Sequence, residues 1–300
     1  MKRVLVTGGT GFIGTHVVNE LVARGYEVHL LTFSQSRHNQ ANLIQHELDL
    51  MDSQRVHDFL RANRFESLIH MAWYTGPKCH ASNDNIKWTI ATLSLLEGFV
   101  ENGGKKFLGA GSVSEYDFSY GYLREHQTPL ASPSIYGECK SSAYHMGKVY
   151  CQNNQVDFQW ARIFNLYGPN EKKTRLMPSV ILSMLKGEDV KVSDCLKIQD
   201  YLHVFDTARG IVDLFDSKVQ GAVNISSGEP VRLRSIVEKI AELTSFKGQI
   251  LWGAIPSSFD DPFIAGDNSR LVQEVGWSQK IKLDHGLQIT IDWWKENRDV

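Results

Sequence analysis

The chain has 300 residues, of which 42% are hydrophobic, and this is enough apolar material for one large domain or two closely joined ones. A disordered or fibrous protein is excluded by the same composition. The 32 basic and 34 acidic side chains are mixed along the chain and leave a formal net charge of -2, which gives no electrostatic footprint for a nucleic acid or an anionic membrane. We therefore expect no nucleic-acid or membrane partner, but a small molecule or a second copy of the chain.

The first residues predict no targeting segment. Met1-Lys2-Arg3 leads into a short apolar run and a glycine-rich turn, and that run is far too short for a signal peptide or a membrane span. The cysteines are widely spaced, which fits reduced thiols better than disulfides or zinc; they are Cys79, Cys139, Cys151 and Cys195. We expect a cytoplasmic protein without a metal.

The first half of the chain alternates short β-branched runs with amphipathic helical stretches, the pattern of a parallel sheet with helices on both faces. Strands are predicted at residues 3–7, 27–31, 67–71, 106–110 and 157–162. Helices are predicted at residues 13–24, 54–62, 85–102 and 135–153. Because such crossovers are right-handed, the expected fold is α/β, with a doubly wound parallel Rossmann sheet.

After Tyr167-Gly168-Pro169 the pattern loosens, with a predicted helix at 178–186, shorter mixed elements and a last helix at 283–297. We expect a dinucleotide-binding domain at residues 1–168, rejoined by part of 196–224. Residues 169–300 are expected to form a smaller C-terminal substrate-binding lobe. The two should enclose a cleft at the carboxyl ends of the strands, where open α/β sheets bind ligands.

A glycine-rich turn joins the first predicted strand to the first predicted helix, in the run Thr7-Gly8-Gly9-Thr10-Gly11-Phe12-Ile13-Gly14. Small residues let the backbone approach a pyrophosphate, whose charge is held by amide donors at the positive end of the helix. The alternative is an ordinary tight turn, but the strand-turn-helix context favours a dinucleotide site. The expected cofactor contacts in this turn are Gly8, Thr10, Gly11, Phe12 and Ile13.

The second predicted strand leads into Thr32, with Ser34 and Arg37 just after it. NAD-specific sites usually present a carboxylate at this place to bind the ribose 2′-hydroxyl. Here no carboxylate would repel a 2′-phosphate, and an arginine with hydroxyls can bind one, although a solvated polar loop is the alternative. We therefore expect NADP(H) to be preferred and NAD(H) to be possible, with Asp49 and Leu50 near the adenine.

Tyr136 and Lys140 lie four residues apart on a predicted helix, which brings both side chains to one face. An ammonium beside a phenol favours the phenolate, so we expect the pKa of Tyr136 to be lowered. Ser112 follows an apolar strand and can bond the same substrate oxygen as Tyr136. A plain helix-surface pair is the alternative for the tyrosine and the lysine alone.

At these residues the chain resembles the extended short-chain dehydrogenase/reductase family, in its NAD-dependent epimerase/dehydratase group that acts on nucleotide sugars. The resemblance covers essentially the whole length. Besides the glycine turn it rests on His70-Met71-Ala72, Asn85, Ser112 four before Tyr116, Glu125, Thr128-Pro129, Pro133, Tyr136 through Lys140, and residues 162–169.

The resemblance implies that Tyr136 is the acid/base, that Lys140 holds the nicotinamide ribose, and that Ser112 orients the substrate oxygen. Further cofactor contacts are expected at Met71, Ala72 and Ile163. Substrate contacts are expected at Trp73, Ser114, Asn165, Arg175, Leu176 and Gln199, although a packing role is the first interpretation for Trp73.

Two phosphate-binding arginines of the family pattern are missing. Many relatives carry an arginine just before the Asp200-Tyr201 pair, where this chain has Gln199, and another is expected near residues 258–261. Arg175, Arg232 and Arg234 are candidate replacements. The way in which a diphosphate is held is therefore left open.

The residues after Ser112 separate the activities of this scaffold. A 4,6-dehydratase would carry an acid and a base there as an Asp-Glu pair, and this chain has Val113-Ser114. A GDP-fucose-synthase type of enzyme would carry a cysteine where Ser114 stands, and neither Cys79 nor Cys139 is at a matching position. We expect reduction of a nucleotide-linked 4-keto-6-deoxy sugar at C4. A C4-epimerase is the alternative, and a non-catalytic NADP-binding sensor is a minor one.

The resemblance also implies a homodimer, in which the helices around 85–102 and 135–153 of two subunits form a four-helix contact. Apolar residues on these helices could supply the seam, with inward packing as the alternative for each. The candidates are Leu93, Leu96, Phe99 and Met146.

Overall fold

The computed structural model describes residues 2–33, 42–257 and 263–297 of the chain. Ser34 and Arg37 therefore lie outside the described residues, as does the region 258–261 in which a phosphate arginine was expected.

The strands follow one another along the chain as β1 (Arg3–Thr7), β2 (Glu27–Thr32), β3 (Leu43–Glu47), β4 (Ser67–His70), β5 (Lys106–Ser112), β6 (Tyr122–Leu123), β7 (Asp157–Ile163), β8 (Asn165–Tyr167), β9 (Val190–Lys191), β10 (Ile198–His203), β11 (Gly221–Ile225), β12 (Pro230–Arg232), β13 (Ile250–Leu251) and β14 (Phe263–Gly266). The α-helices are α1 (Phe12–Ala23), α2 (Ser53–Asn63), α3 (Asp84–Glu101), α4 (Ile135–Asn153), α5 (Leu176–Lys186), α6 (Val204–Asp216), α7 (Leu233–Leu243) and α8 (Leu283–Glu296). Short 3₁₀ turns lie at Cys79–Ala81, Val113–Glu115 and Phe118–Tyr120, and a π-helical turn lies at Arg270–Glu274.

Seven strands form one parallel sheet in the order β11-β7-β5-β4-β1-β2-β3. The chain winds outward from β1 in both directions, so the order reverses between β1 and β4. This arrangement confirms the predicted α/β fold with a doubly wound Rossmann sheet. It also places the ligand-binding crevice of such folds at the carboxyl ends of β1 and β4.

Both faces of the sheet are buried, which explains why its strands read as nearly continuous apolar runs. In β1, Val4 and Val6 pack with α1 and α6 on one face, whereas Leu5 packs with α2, α3 and α4 on the other. Side chains alternate between the two faces of a strand, so a single strand serves both hydrophobic clusters. The sheet is thereby fixed between two helical layers.

The second lobe is built around β10, which pairs in parallel with β8 and β14 and antiparallel with β12, while β14 pairs with β6. Helices α5, α7 and α8 supply its hydrophobic cluster, which includes Ile181, Ile236, Leu287 and Trp294. By contrast, α6 and β11 belong to the layers of the large sheet, although they follow the first part of this lobe in sequence. The division of the chain at residue 168 stays a prediction.

Strand β3 was not predicted from the sequence. Its residues Leu43–Glu47 alternate only weakly between apolar and polar side chains, and the strand lies at the edge of the sheet with none of its side chains fully buried. An edge strand with little burial gives a weak pattern, because burial is the cause of the pattern.

The prediction that Leu96 and Phe99 supply part of a dimer seam was wrong. Leu96 and Phe99 of α3 are 2% and 1% exposed and pack in the cluster beneath the sheet, so they cannot face another subunit. The large apolar side chains that α3 and α4 do expose are Ile86, Ile90, Met146 and Val149.

Across the described ranges, no helix is both long enough and apolar enough to cross a membrane. The four cysteines are free thiols. No group of three or more histidine, cysteine or carboxylate side chains lies close enough to hold a metal ion, again within the residues that the structure describes.

We predict that Gly14→Ala destabilises the protein, because a Cβ at position 14 would lie 2.0 Å from the carbonyl oxygen of Gly8 and the backbone would have to move. Overpacking of this kind typically lowers the free energy of unfolding by about 1 to 3 kcal/mol. Gly210→Ala in α6 is the matched control, since its Cβ would meet nothing closer than 3.4 Å. Helix propensity should then raise its stability by up to about 1 kcal/mol. Urea unfolding measures both changes, and equal stability of the two variants would contradict the close contact at Gly14.

Candidate active site

The turn between β1 and α1 brings backbone close to backbone at the carboxyl edge of the sheet. Gly8 has a φ of +73°, and a Cβ on it would lie 2.5 Å from the amide nitrogen of Ala72. Its carbonyl accepts a hydrogen bond from the Gly11 amide at 3.1 Å. Gly11 is the N-cap of α1 and has no side chain to cover the first amides of the helix. The positive end of α1 is therefore open to an anion, with Thr10 exposed and Phe12 and Ile13 half-buried beside it.

Thr7 ties the ends of β1 and β4 together. Its hydroxyl lies 2.7 Å from Nδ1 of His70 and accepts the Ala72 amide at 3.3 Å, and its carbonyl accepts the Met71 amide at 3.0 Å. Nε2 of His70 contacts the Thr92 hydroxyl at 2.8 Å, and burial lowers the pKa of His70 to about 3. His70 is thus a neutral, hydrogen-bonded core residue, and the segment after it is held against the glycine turn.

Only part of the predicted adenosine site lies within the residues that the structure describes. Thr32 ends β2, and its buried hydroxyl has no hydrogen-bond partner among the described residues. Asp49 accepts the Met51 amide at 2.9 Å, and both Asp49 and Leu50 are half-buried. The Leu48 amide donates to the carbonyl of Thr32 at 2.9 Å, so these two segments meet at one edge. A glycine cradle and an unpartnered buried hydroxyl suit a dinucleotide.

Ser112 is the last residue of β5, where it pairs in register with Ile163 of β7. It begins the 3₁₀ turn at Val113–Glu115, and its hydroxyl accepts the amide of Ser114 at 3.1 Å. The side chain of Glu115 reaches back to accept the Ser112 amide at 2.7 Å. Because both ends of the turn are bonded, the Ser112 hydroxyl is held in place with its own hydrogen free to donate.

Tyr136 lies in the first turn of α4, which Ser134 caps by accepting the Gly137 amide at 3.1 Å. The turn that Ser112 begins packs against the start of α4, where a Cβ on Gly137 would clash with the carbonyl oxygen of Ser114, and the Ser112 hydroxyl is close enough to lower the pKa of the Tyr136 phenol. The structure therefore brings the predicted serine and tyrosine together. The expected lowering of the Tyr136 pKa was wrong. Burial disfavours the phenolate and raises the pKa to about 12, and the nearby Ser112 hydroxyl and the charge of Arg175 offset only part of this.

Lys140 lies one helical turn after Tyr136 and is 3% exposed. Its ammonium donates to the carbonyl of Ala110 at 2.7 Å and lies 3.8 Å from the centre of the Trp73 ring. Burial lowers the pKa of Lys140 to about 7, against the raising effect of the Glu115 carboxylate. The Trp73 indole donates to Asn85 at 2.8 Å, so Trp73 packs beneath Lys140 and its substrate role stays a prediction.

The predicted substrate residues of the second lobe lie on two elements. Asn165 of β8 pairs with Tyr201 of β10, two residues after Gln199. Asn165 lies just beyond the carboxyl end of β7. Arg175 stands at the N-cap position of α5, just before Leu176, and its charge lowers the pKa of Tyr136.

The candidate replacements for the missing phosphate arginines differ in their surroundings. Arg232 lies opposite Ile198 in the β10–β12 pair and is exposed, whereas the guanidinium of Arg234 stacks 4.3 Å from the centre of the Trp252 ring. Of the three, Arg175 is the one whose charge lowers the pKa of Tyr136. Arg175 is therefore the candidate with a demonstrated effect on a reacting group.

Sequence reasoning missed several groups around Tyr136 and Arg175. The ring of His80 lies edge-on to Tyr136 with centroids 5.0 Å apart, in the same turn as Cys79. Burial raises the pKa of Glu171 to about 8, and one of its carboxylate oxygens has no partner among the described residues. No motif marks these positions, because loops from β4 and β8 bring them to the site from distant parts of the chain. Glu115 was missed although it stands three residues after Ser112.

The family model described as the NAD dependent epimerase/dehydratase family matches residues 4–226. UDP-glucuronic acid decarboxylase 1 of Xenopus tropicalis is 27% identical over 312 residues, which cover 98% of this chain and 72% of that protein. CDP-abequose synthase of Salmonella muenchen is 22% identical over 96% of both chains. The crystal structure of the UDP-glucose 4-epimerase of Thermus thermophilus, complexed with NAD, superimposes with a TM-score of 0.85 at 26% identity, covering 98% of this chain and 99% of that one. The chain belongs to the NAD dependent epimerase/dehydratase family, within the extended short-chain dehydrogenases/reductases that its motifs resemble.

Proposed function

We propose that this protein reduces the C4 carbonyl of a nucleotide-linked 4-keto-6-deoxy sugar, with Ser112, Tyr136 and Lys140 as its catalytic residues and NADPH as the preferred reductant. The observation that carries the proposal is the packing of the Ser112 turn against the start of α4, which places the Ser112 hydroxyl beside the half-buried phenol of Tyr136 at the carboxyl edge of the sheet. The relatives support the substrate class, since their names share a sugar linked to a nucleotide.

The protonation of Tyr136 favours the reductive direction. With a pKa raised to about 12, the phenol keeps its proton at neutral pH and is ready to act as an acid. A reaction that begins by oxidising the sugar needs the opposite form, a phenolate that accepts a proton. The protonated phenol is the form that reduction of a ketone uses.

A reduced nicotinamide cofactor, held at the glycine turn from Gly8 to Ile13 and by Lys140, would supply a hydride to C4, and the carbonyl oxygen would then need a proton. Tyr136 donates its proton to that oxygen, and the Ser112 hydroxyl orients the same oxygen by a hydrogen bond. Lys140, with its pKa near neutrality, provides the positive charge that stabilises the phenolate left on Tyr136. The products are an alcohol at C4 and the oxidised cofactor.

The preference for the phosphorylated cofactor rests on Thr32, which stands where a carboxylate would repel a 2′-phosphate. The similar structure from Thermus thermophilus is a complex with NAD, so binding of NAD is the alternative for this chain as well.

Epimerisation at C4 is the second candidate function. The observation that favours it is the similarity over nearly the whole chain to a UDP-glucose 4-epimerase. Such an enzyme must oxidise the sugar, let the ketone rotate and return the hydride to the other face, and it needs no added reductant. A dehydratase would make the ketone itself with an acid and a base in these positions, where this chain has Val113 and Ser114.

We predict that the purified protein consumes one NADPH for each nucleotide 4-keto-6-deoxy sugar converted, because the cofactor leaves oxidised after every turnover. Deuterium from labelled NADPH should appear at C4 of the product, as measured by NMR, and NADPH should give a higher kcat/KM than NADH.

The matched control is the same assay with UDP-glucose and with UDP-glucuronic acid in the absence of reductant. Interconversion of two C4 epimers, or release of CO₂, under those conditions would replace the reductase with an epimerase or a decarboxylase.

We further propose a homodimer through the exposed apolar side chains of α3 and α4. Ile86 and Ile90 are 50% and 63% exposed, and Met146 and Val149 are each 56% exposed. Their i, i+4 and i, i+3 spacings put each pair on one helix face, where a second subunit would cover them.

We predict that light scattering at micromolar concentration gives twice the 33.9 kDa chain mass and that Ile90→Lys/Met146→Lys gives a monomer, since charges would be buried in the seam. Ile44→Lys is the control, because Ile44 is also exposed (42%) but lies on edge strand β3. A wild-type protein that scatters as a monomer would exclude the dimer.

A further inference from the structure

Glu115 is a buried carboxylate with no role in the catalytic set described above. It is 0% exposed and lies three residues after Ser112, at the end of the 3₁₀ turn. A buried charge is costly unless it is paired and hydrogen-bonded, so its contacts indicate what it does.

Both oxygens of the Glu115 carboxylate accept hydrogen bonds from residues of the large sheet. Oε1 accepts the Ser112 amide at 2.7 Å and the indole N–H of Trp160 at 2.9 Å. Oε2 accepts Nε of Arg162 at 2.7 Å. Trp160 and Arg162 belong to β7, so the carboxylate cross-links the carboxyl end of β5, where Ser112 lies, to the neighbouring strand.

Arg162 is as deeply buried as Glu115 and is packed between aromatic rings. It is 1% exposed, and its guanidinium lies 4.8 Å and 4.7 Å from the ring centres of Tyr116 and Tyr144. It also donates to the Tyr116 hydroxyl at 3.2 Å. The ion pair therefore cannot turn away from the Ser112 turn without opening a packed core.

The backbone next to Ser112 leaves room for this pair. A Cβ on Gly111 would lie 2.2 Å from the indole nitrogen of Trp160 and 2.5 Å from Oε1 of Glu115. The absence of a side chain at Gly111 thus leaves space for the Glu115 carboxylate beside the end of β5.

We propose that Glu115 is a positioning residue for the reaction: its carboxylate fixes the turn that holds the Ser112 hydroxyl beside Tyr136. This inference rests on the proposed function, because it assigns Glu115 to the same Ser112, Tyr136 and Lys140 site. Stability alone does not account for the charge, since a buried ion pair is often no more stabilising than apolar side chains of similar volume.

The charge of Glu115 acts on both groups that move protons. It raises the pKa of Lys140 against the lowering effect of burial, and it adds to the raised pKa of Tyr136. The other titratable or charged groups that face these two are His70 of β4 toward Lys140, and Cys79 and His80 of the 3₁₀ turn and Arg175 of α5 toward Tyr136. Without the carboxylate both groups would lose their protons at lower pH.

The test compares Glu115→Gln, which keeps the acceptor oxygen and removes the charge, with Glu115→Gln/Arg162→Met, which also removes the buried cation left without a partner. We expect kcat to fall at least about tenfold in both variants with KM little changed. The alkaline limb of the kcat–pH profile should move about one pH unit lower in both, whereas the melting temperature should recover only in the double variant.

A second readout needs no substrate. In protein labelled with ¹³C at lysine Cε, NMR titration should give a Lys140 pKa about one unit lower in both variants than in the wild type. This titration does not depend on which reaction the protein catalyses, so it remains informative if that reaction proves to be epimerisation. Failure of this inference can therefore be distinguished from failure of the proposed function.

Asp206→Asn is the matched control. Asp206 is a buried carboxylate, 1% exposed, that pairs with Arg209 at 2.8 Å on α6. Its loss should lower the melting temperature and leave the kcat–pH profile and the Lys140 titration unchanged. Recovery of wild-type kcat and pH profile in the double variant, or an unmoved Lys140 pKa in either folded variant, would overturn the proposal and leave Glu115 a structural cross-link.

Discussion

The parallel direction of the seven strands is the constraint on which the site depends. Parallel strands end at the same edge, so residues far apart in sequence meet there: Thr7 ends β1, His70 ends β4 and Ser112 ends β5. Strand order then selects which of them are neighbours, since β4 pairs with both β1 and β5. The glycine turn after β1 and the serine turn after β5 thus lie at the same edge with only β4 between them.

Burial sets the chemistry at that edge. Desolvation disfavours the charged form of any side chain, so it raises the pKa of Tyr136 and lowers that of Lys140. Tyr136 is thereby kept as a neutral proton donor, and Lys140 is brought close to the balance between amine and ammonium. Glu115 opposes the shift at Lys140 and adds to the shift at Tyr136, because a buried negative charge favours the protonated form of both groups.

Local signals were enough to predict much of the fold. Glycines between an apolar strand and a helix marked the turn at Gly8, and the spacing of Tyr136 and Lys140 marked one face of α4. The sequence did not show what the surroundings do to a side chain. The lowered pKa expected for Tyr136 counted its neighbour in sequence and left out desolvation, which depends on the whole fold.

The same reason explains the other differences. Leu96 and Phe99 look like candidates for a seam, but the rotation of α3 on the sheet turns them inward and leaves Ile90 exposed. Glu115 resembles an ordinary polar residue of a loop until Arg162, 47 positions later, is placed against it. Pairings across the sheet are set by topology, and a single sequence carries little record of them.

The central claim is that Ser112 and Tyr136 act as one unit on one substrate oxygen, and a double-mutant cycle tests it most directly. Single-turnover rates would be measured for Ser112→Ala, Tyr136→Phe and the double variant, with cofactor binding checked in each. Loss of the phenol should cost about 10² to 10⁴ in rate. If the two groups act together, the double variant should be little slower than Tyr136→Phe alone. Losses that multiply would mean that the two side chains act independently, and the account of the site would be wrong.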